Sequence, residues 1–168
     1  RALCFAVENG QETLLRILLD KGADIEARNN LGQTQLYVAT STGDDAVVRL
    51  LLDEGADTEA RNNLGQTQLY IATSTGDDAV VRLLLDEGAD IEAKDTGGCT
   101  PLLRSASKRQ ETIVRLLLDR GASIMAKDNH DNTPLHLAAN YGHESTVRLL
   151  IDEDANIRAI EIRGFSAL

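Results

Sequence analysis

Residues 133–139 read Thr-Pro-Leu-His-Leu-Ala-Ala, and this stretch belongs to a pattern that returns every 33 residues along the 168-residue chain. Its threonine position is occupied by Thr34, Thr67, Thr100, Thr133 and Ser166. Its leucine position is occupied by Leu36, Leu69, Leu102, Leu135 and Leu168. A Gly-Ala-Asp triplet keeps the same period at Gly22, Gly55 and Gly88, with variants at Gly121 and Asp154. Self-similarity at this period indicates stacked copies of one supersecondary unit.

Within one unit, residues 28–60, the pattern predicts two short helices joined by a glycine turn. Thr34 can cap the first helix with its hydroxyl, and Gly43 ends it. Asp44 then opens a second helix, where acids suit the positive end of the helix dipole. Gly55 closes that helix in the left-handed conformation. Two such short helices cannot bury their apolar faces alone, so we predict an all-α solenoid of stacked neighbours.

The motif at 133–139, the 33-residue period and the Gly-Ala-Asp closure closely resemble the ankyrin repeat, over the whole chain. The resemblance implies five antiparallel helix pairs with hairpin-like finger loops. With this phasing we predict a single domain whose repeats are residues 1–27 (partial), 28–60, 61–93, 94–126, 127–159 and 160–168 (partial), and which is a segment of a longer array. Units 28–60 and 61–93 differ only at Val38/Ile71 and Thr58/Ile91. In style they resemble fungal-type arrays that follow a NACHT-type NTPase.

The chain departs from the ankyrin motif at several positions. Glutamine replaces the motif proline at Gln35 and Gln68, and the motif histidine is replaced at Tyr37, Tyr70 and Leu103. The resemblance assigns that histidine a local hydrogen bond, so the replacements need another contact. The position that often holds asparagine in the family is occupied here by Glu26, Glu59, Glu92, Met125 and Arg158. Asparagine hydroxylation at that position is therefore not implied.

The charge balance bears on the class of partner. A net charge of −10 and a pI of about 4.7 argue against nucleic acid, which is bound through Lys and Arg, and against an anionic membrane. Cys4 and Cys99 are too few for a disulfide framework, and no apolar run approaches the ~20 residues of a membrane span. The first residues contain no cleavage-type signal. We predict a cytoplasmic location, with the nucleus as the alternative.

No motif in the chain predicts chemistry. His130, His136 and His143 are the only histidines, and two of them occupy structural motif positions. We predict no enzyme, no metal and no cofactor. The many acids recur as acid–Arg–acid sets at i, i+4 and i+8 on each second helix, which predicts a charged ladder on one exposed face. The sets are Glu12-Arg16-Asp20, Asp45-Arg49-Asp53, Asp78-Arg82-Asp86, Glu111-Arg115-Asp119 and Glu144-Arg148-Asp152.

The family resemblance implies that partner proteins contact the finger tips and the exposed edge of each first helix. Leu31 and Leu64 on the turns are candidate contacts, and Tyr141 is a candidate aromatic anchor. The full predicted set is Arg28, Asn30, Leu31, Gln33, Ser41, Thr42, Arg61, Asn63, Leu64, Gln66, Ser74, Thr75, Lys94, Thr96, Cys99, Lys108, Lys127, Asn129, His130, Asn132 and Tyr141. Arg28, Arg61, Lys94 and Lys127 form a cationic row, one at the start of each finger.

Two functions are compatible with these patterns. The first is a protein–protein interaction module that binds a protein of unknown identity on a concave finger and first-helix surface. The alternative is a structural spacer, a designed scaffold or an array that associates end to end with itself. Near-identical units favour the alternative, because identical surfaces present no unique epitope. An enzyme or nucleotide-dependent switch is the remaining interpretation, and no phosphate loop supports it.

Overall fold

The structure, a computed structural model, describes residues 2–153. Within this range the chain forms ten helices and no strand. The helices are α1 (Ala2–Glu8), α2 (Glu12–Asp20), α3 (Gln35–Thr42), α4 (Asp45–Asp53), α5 (Gln68–Thr75), α6 (Asp78–Asp86), α7 (Pro101–Ser107), α8 (Glu111–Asp119), α9 (Pro134–Asn140) and α10 (Glu144–Asp152). The five helix pairs are those that the repeat predicts. The partial repeat 160–168 and the variant closure at Asp154 lie outside the described residues.

Side-chain caps mark the starts of six helices, α3 to α7 and α9. The hydroxyls of Thr34 and Thr67 accept the backbone N–H groups of Tyr37 and Tyr70 at the starts of α3 and α5. Thr100 and Thr133 do the same for α7 and α9. A cap of this type stabilises a helix by about 1 kcal/mol. In the second helices of repeats 28–60 and 61–93 the cap is an aspartate, Asp44 or Asp77.

A single glycine motif ends four of the second helices, α2, α4, α6 and α8. At the end of α4, Gly55 adopts φ +85, and the backbone N–H of Ala56 donates to the carbonyl of Leu51 at 2.9 Å. The N–H of Gly55 donates to Leu52 at 2.9 Å. These two bonds form a Schellman motif, which satisfies carbonyls that the helix would leave unpaired. The Gly-Ala-Asp triplets of the sequence are therefore helix stops.

Contacts divide the chain into two compact units, Arg1–Asp90 (unit 1) and Ile91–Leu168 (unit 2). In unit 1 the first helices α1, α3 and α5 pack in sequence, and the second helices α2, α4 and α6 pack beside them. In unit 2 the same two layers are formed by α7 with α9 and by α8 with α10. That both units belong to a single domain stays a prediction.

Aliphatic side chains fill the space between the layers of each unit. In unit 1 the fully buried side chains include Leu36, Leu51, Leu69, Val80 and Leu84, and in unit 2 they include Leu102, Leu117, Leu135 and Leu150. These are the apolar positions of the 33-residue pattern. Of the helices between residues 2 and 153, none has the length and apolar character needed to cross a membrane.

The predicted charged ladder on the second helices forms only in part. Arg115 pairs with Glu111 at 3.6 Å and Arg148 with Glu144 at 2.6 Å, each at the predicted i,i+4 spacing. Arg16 instead meets Glu54 of the next repeat, at 3.9 Å. Arg49 and Arg82 make no ion pair within residues 2–153. The sets lie on an exposed face as predicted, but Arg16, Arg49 and Arg82 form no ion pair within their own helix in the described residues, since exposed pairs gain too little to fix long side chains in one geometry.

Candidate functional site

The two finger loops of unit 1, residues 27–34 and 60–67, are closed by hydrogen bonds within each loop. In the first, Asn29 N donates to the carbonyl of Gln33 at 3.0 Å. The Asn29 side chain Oδ1 accepts the backbone N–H groups of Leu31 and Gln33, at 2.9 and 3.0 Å. Asn62 repeats this arrangement in the second loop. An asparagine side chain that mimics the backbone in this way fixes the turn.

The finger loops of unit 2, residues 93–100 and 126–133, use aspartate at the same position. Asp95 Oδ1 accepts the backbone N–H groups of Gly97 and Cys99, both at 2.9 Å. Asp128 Oδ1 accepts those of His130 and Asn132, at 2.8 and 2.9 Å. Burial works to raise the pKa of Asp128, but the bonds from Asn132 and His130 outweigh it and leave that pKa lowered. Asp128 is therefore held as a carboxylate inside its turn.

The cationic row is bonded to the backbone of the fingers. Arg28 Nη1 donates to the carbonyl of Gly32 in its own loop, at 3.0 Å, and to the carbonyl of Arg61 in the next. Lys94 Nζ donates to the carbonyl of Lys127, 33 residues further on, at 3.1 Å. Arg61 Nη1 donates to Gly65 at 3.2 Å. Arg28 and Lys94 therefore also connect neighbouring fingers within their units.

Asparagine side chains and backbone groups connect the finger tips. In unit 1, Asn63 N donates to the carbonyl of Leu31 at 3.1 Å, and Asn63 Nδ2 donates to the carbonyl of Asn30 at 3.3 Å. In unit 2, Asn129 bonds in the same way to the carbonyls of Gly97 and Thr96, at 3.0 and 3.1 Å. The tips within each unit are thus held in a fixed relation to one another.

Three glutamates make a further connection that the sequence reasoning missed. Glu26 Oε1 accepts the backbone N–H of Asp57 at 2.8 Å, and Glu59 and Glu92 repeat this bond one and two repeats later. The recurrence of glutamate at 26, 59 and 92 is the signal of this bond in the sequence. We call these side-chain bonds from Glu26, Glu59 and Glu92, together with those from Arg28, Lys94, Asn63 and Asn129, the inter-finger bonds.

The buried glutamines that replace proline tie the first helices to the bases of their fingers. Gln35 Nε2 donates to the carbonyl of Ala27 at 3.2 Å. The Gln68 amide, oriented to satisfy both of its ends, donates to the carbonyls of Thr58 and Ala60 at 2.7 and 2.9 Å. Nearby, Asn62 Nδ2 donates to Tyr37 Oη at 3.2 Å, so this tyrosine supplies a contact at the position of the motif histidine.

Two apolar side chains project from the finger tips of unit 1. Leu31 is 61% exposed and Leu64 is 57% exposed. They occupy the same position in successive fingers, and the bond from Asn63 N to the Leu31 carbonyl joins their backbones. Beside them Gln33 and Gln66 are half-buried, and their side chains accept hydrogen bonds from Asn29 and Asn62. Of the predicted tip residues in unit 1, the leucines therefore offer the apolar surface.

The predicted residues at the ends of the first helices form a separate cluster. Ser41, Thr42 and Thr75 line a shallow hollow of about 430 Å³, whose other wall includes Asp77 and Asp78. The hydroxyls of Ser41 and Thr42 donate back to carbonyls of their own helix, and Ser74 is half-buried. A helix of eight residues, such as α3, is about 12 Å long. The hollow is therefore about one helix length from the finger base at Thr34.

Carboxylates crowd the second-helix side of this hollow. Burial and then the neighbouring Asp77 carboxylate, which also shares a hydrogen bond, raise the pKa of Asp45. Asp44 raises it further, and Arg49 opposes them. The crowding is a consequence of the repeat, because near-identical units bring equivalent acids together.

In unit 2 the corresponding region is aromatic and basic. Tyr141 is 58% exposed, and its ring stacks on that of His143 with centroids 6.0 Å apart. His143 Nε2 lies 3.2 Å from the carbonyl of Ser107. Lys108 is exposed at the end of α7, and Arg109 beside it adopts φ +58, where the equivalent residues of unit 1 are glycines.

The remaining predicted residues of unit 2 lie on its fingers. Thr96 and His130 are exposed at the tips, whereas Cys99 and Asn132 are half-buried. Asn132 Nδ2 donates to Asp128 Oδ2 at 2.9 Å, and Lys127 pairs with Asp131 at 3.7 Å. The fingers of unit 2 therefore combine cations with acids, unlike those of unit 1.

Groups with metal-binding or redox chemistry are dispersed. In the part of the chain that the structure describes, no three His, Cys, Asp or Glu side chains are arranged to hold a metal ion. His136 Nδ1 accepts the backbone N–H of Thr133 at 3.3 Å, completing a capping box, which is the local bond that the family motif implies. Cys4 and Cys99 are half-buried and form no disulfide within the described residues.

Comparison with protein families matches the chain to ankyrin repeats, described as three copies, over residues 3–95 and 94–161. Comparison with curated proteins gives no match.

Proposed function

Because the chain belongs to the ankyrin repeat family, whose repeats are generally protein-interaction modules and typically non-enzymatic, we propose that it binds a partner protein and performs no catalysis. In this proposal the partner contacts the finger tips and the exposed ends of the first helices. The chain has two cysteines, Cys4 and Cys99, too few for the disulfide framework of a small secreted domain, so we propose the cytoplasm, with the nucleus as the alternative.

The observation that carries this proposal is the pair of connected fingers in unit 1 with exposed apolar tips. Inter-finger bonds hold the loops before any partner arrives, so little conformational entropy is lost on binding. Leu31 and Leu64 bury little within their own chain. Apolar side chains on a pre-ordered, otherwise polar surface are typical of contact residues.

A capture experiment with matched variants tests the proposal. Immobilised wild type, the tip variant Leu31→Ser/Leu64→Ser/Tyr141→Ser and the control Arg49→Gln/Arg82→Gln are exposed to the same cell extract, after circular dichroism has shown equal helix content. We expect wild type and control to recover proteins that the tip variant loses. Recovery of one identical set by all three proteins would contradict the proposal and favour a spacer.

Self-association is the second candidate function, and the first repeat favours it. Phe5 is 66% exposed and Ile17 is 51% exposed, whereas Leu50, the equivalent of Ile17 in the next repeat, is buried. In a longer array a preceding repeat would cover this apolar face, and in self-association a helix pair of a second molecule would cover it. In the second case, the mass measured by light scattering rises with concentration for wild type, and Phe5→Ser/Ile17→Ser abolishes the rise. A monomeric wild type at millimolar concentration would exclude this candidate.

A further inference from the structure

We infer that the fingers of unit 1 recognise an acidic, extended protein segment that carries apolar side chains three residues apart. This inference rests on the proposed function, and it specifies the chemistry and spacing of the partner at that same surface.

The charge of the tips selects an acidic partner. Residues 28–33 and 61–66 both read Arg-Asn-Asn-Leu-Gly-Gln, with one cation and no acid in each, in a chain whose net charge is −10. Arg28 donates to two carbonyl oxygens, which carry no net charge, and it makes no ion pair within residues 2–153. Its positive charge therefore remains available to attract a carboxylate.

The fingers of unit 2 differ in this respect. Lys127 is paired with Asp131, and each loop contains an aspartate, Asp95 or Asp128, as its central acceptor. The positive charge of these fingers is accordingly offset within the loops. The surface that selects an acidic segment is therefore that of unit 1.

The apolar part of the site consists of two leucine side chains, one on each finger of unit 1. Leu31 and Leu64 are exposed to nearly the same extent and lie at equivalent positions of identical loops. The loops are closed by Asn29 and Asn62 and joined through Asn63. A partner that contacts both leucines must therefore present the same kind of side chain twice, at the spacing of one repeat.

That spacing defines the register of the partner. Neighbouring helices pack about 8–10 Å apart, which sets the separation of equivalent points on adjacent repeats. A polyproline II segment rises about 3.1 Å per residue with three residues per turn, so residues i and i+3 lie about 9 Å apart on one side. Apolar side chains at i and i+3, with carboxylates between them, therefore match Leu31, Leu64 and the adjacent arginines.

A designed peptide serves as the probe. Fluorescein-labelled (Glu-Pro-Leu)₄ presents leucines every third residue and an acid in every turn, and its prolines favour the extended form. Control peptides are (Lys-Pro-Leu)₄ and (Glu-Pro-Ser)₄. Binding is measured by fluorescence anisotropy at 50 and 300 mM NaCl, with the fold of each protein variant checked by thermal denaturation.

We expect wild type to bind the Glu-Pro-Leu peptide and to bind both control peptides at least tenfold more weakly. Leu31→Ser and Leu64→Ser should each weaken binding by about tenfold, since each loses roughly one buried aliphatic contact. Arg28→Gln/Arg61→Gln should weaken binding and reduce its dependence on salt. The matched control Arg49→Gln/Arg82→Gln removes the same charge from α4 and α6 and should leave binding unchanged.

Equal binding of the acidic and basic peptides, or equal loss in the two arginine variants, would overturn the inference. So would a single-stranded oligonucleotide or a phosphatidylserine vesicle that binds more tightly than the peptide and depends on Arg28. If the peptide fails to bind while the tip variant still loses proteins that wild type captures, the partner chemistry is wrong and the proposed function stands. If both fail, the proposed function is wrong as well.

Discussion

Glu26 Oε1 accepts the backbone N–H of Asp57 at 2.8 Å, 31 residues along the chain. The same bond joins Glu59 to Asp90 at 2.9 Å and Glu92 to Ser123 at 2.6 Å. One side chain in each of these repeats thus contacts the main chain of the next, just after its helix stop. The contact contributes to the interface between repeats, on which a solenoid depends for stability.

Removing one of these carboxylates should lower stability. We expect Glu59→Ala to reduce the free energy of unfolding by about 1 kcal/mol, because a hydrogen bond to a charged group is lost and the Asp90 N–H is left to water. For a chain of this size that corresponds to a fall in Tm of about 2–4 °C. Thermal denaturation checks this, with Glu87→Ala at the exposed end of α6 as the control. Equal Tm values for the two variants would contradict the prediction.

Because neighbouring fingers lie close together, we expect two glycine substitutions to lower the free energy of unfolding by different amounts. A Cβ at Gly32 would lie 2.3 Å from Asn63 Oδ1 and 3.0 Å from Asn63 N, whereas a Cβ at Gly55 meets nothing within 4 Å. Both residues have positive φ, so each alanine costs about 1 kcal/mol in backbone strain. Gly32→Ala should cost clearly more, because Asn63 must move. Urea denaturation measures both, and indistinguishable midpoints would show that the fingers are less closely joined.

The crowding around Asp45 predicts a stability change that depends on pH. The pKa of Asp45 is raised in the folded state, so its contribution to stability is fully present below its unfolded pKa and is lost as the pH rises through the folded pKa. At pH 7 the charged Asp45 therefore works against folding. Asp45→Asn should raise Tm by about 1–2 °C relative to Asp78→Asn, which removes an acid from the same position of α6. At pH 3 the difference should vanish, and its persistence there would refute this cause.

The second-helix arginines should matter little for stability. Arg49 and Arg82 are exposed and make no ion pair within residues 2–153. We expect Arg49→Gln/Arg82→Gln to shift Tm by less than about 1 °C, in line with the small energies of exposed pairs. Differential scanning calorimetry at low and high salt checks this. A fall of several degrees would show that longer-range electrostatics hold the second helices in place.

The repeat period predicted the helices and their ends because both depend on local chemistry. Thr34 caps α3, Gly43 ends it and Gly55 closes α4, and each of these roles favours a particular residue type at a particular position. The apolar positions between them, such as Leu36 and Leu51, are buried for the same reason. Because the sequence pattern recurs every 33 residues, the same helix boundaries and buried positions recur along the chain.

The inter-finger bonds were less predictable, because their acceptors and donors are main-chain groups. Arg28 donates to the backbone carbonyl of Arg61. Every residue has such a carbonyl, so the residue types in the sequence do not identify this contact. The ion pairs of the charged ladder were predictable only in part, for a different reason. The i,i+4 spacing suggested pairs within each helix, but Arg16 meets Glu54 of the neighbouring repeat, because a long exposed side chain can reach more than one acid at similar energy.

The inter-finger bonds also bear on how such a chain can change over generations. Arg28, Glu26 and Asn63 bond to main-chain atoms of the neighbouring repeat, and those atoms stay the same whatever side chain they carry. Mutations at Leu31 or Leu64 can therefore change which partner is bound, while the inter-finger bonds are kept. Duplication of a whole unit copies both the scaffold and a tip, and later drift at that tip can give an identical pair of fingers two different specificities.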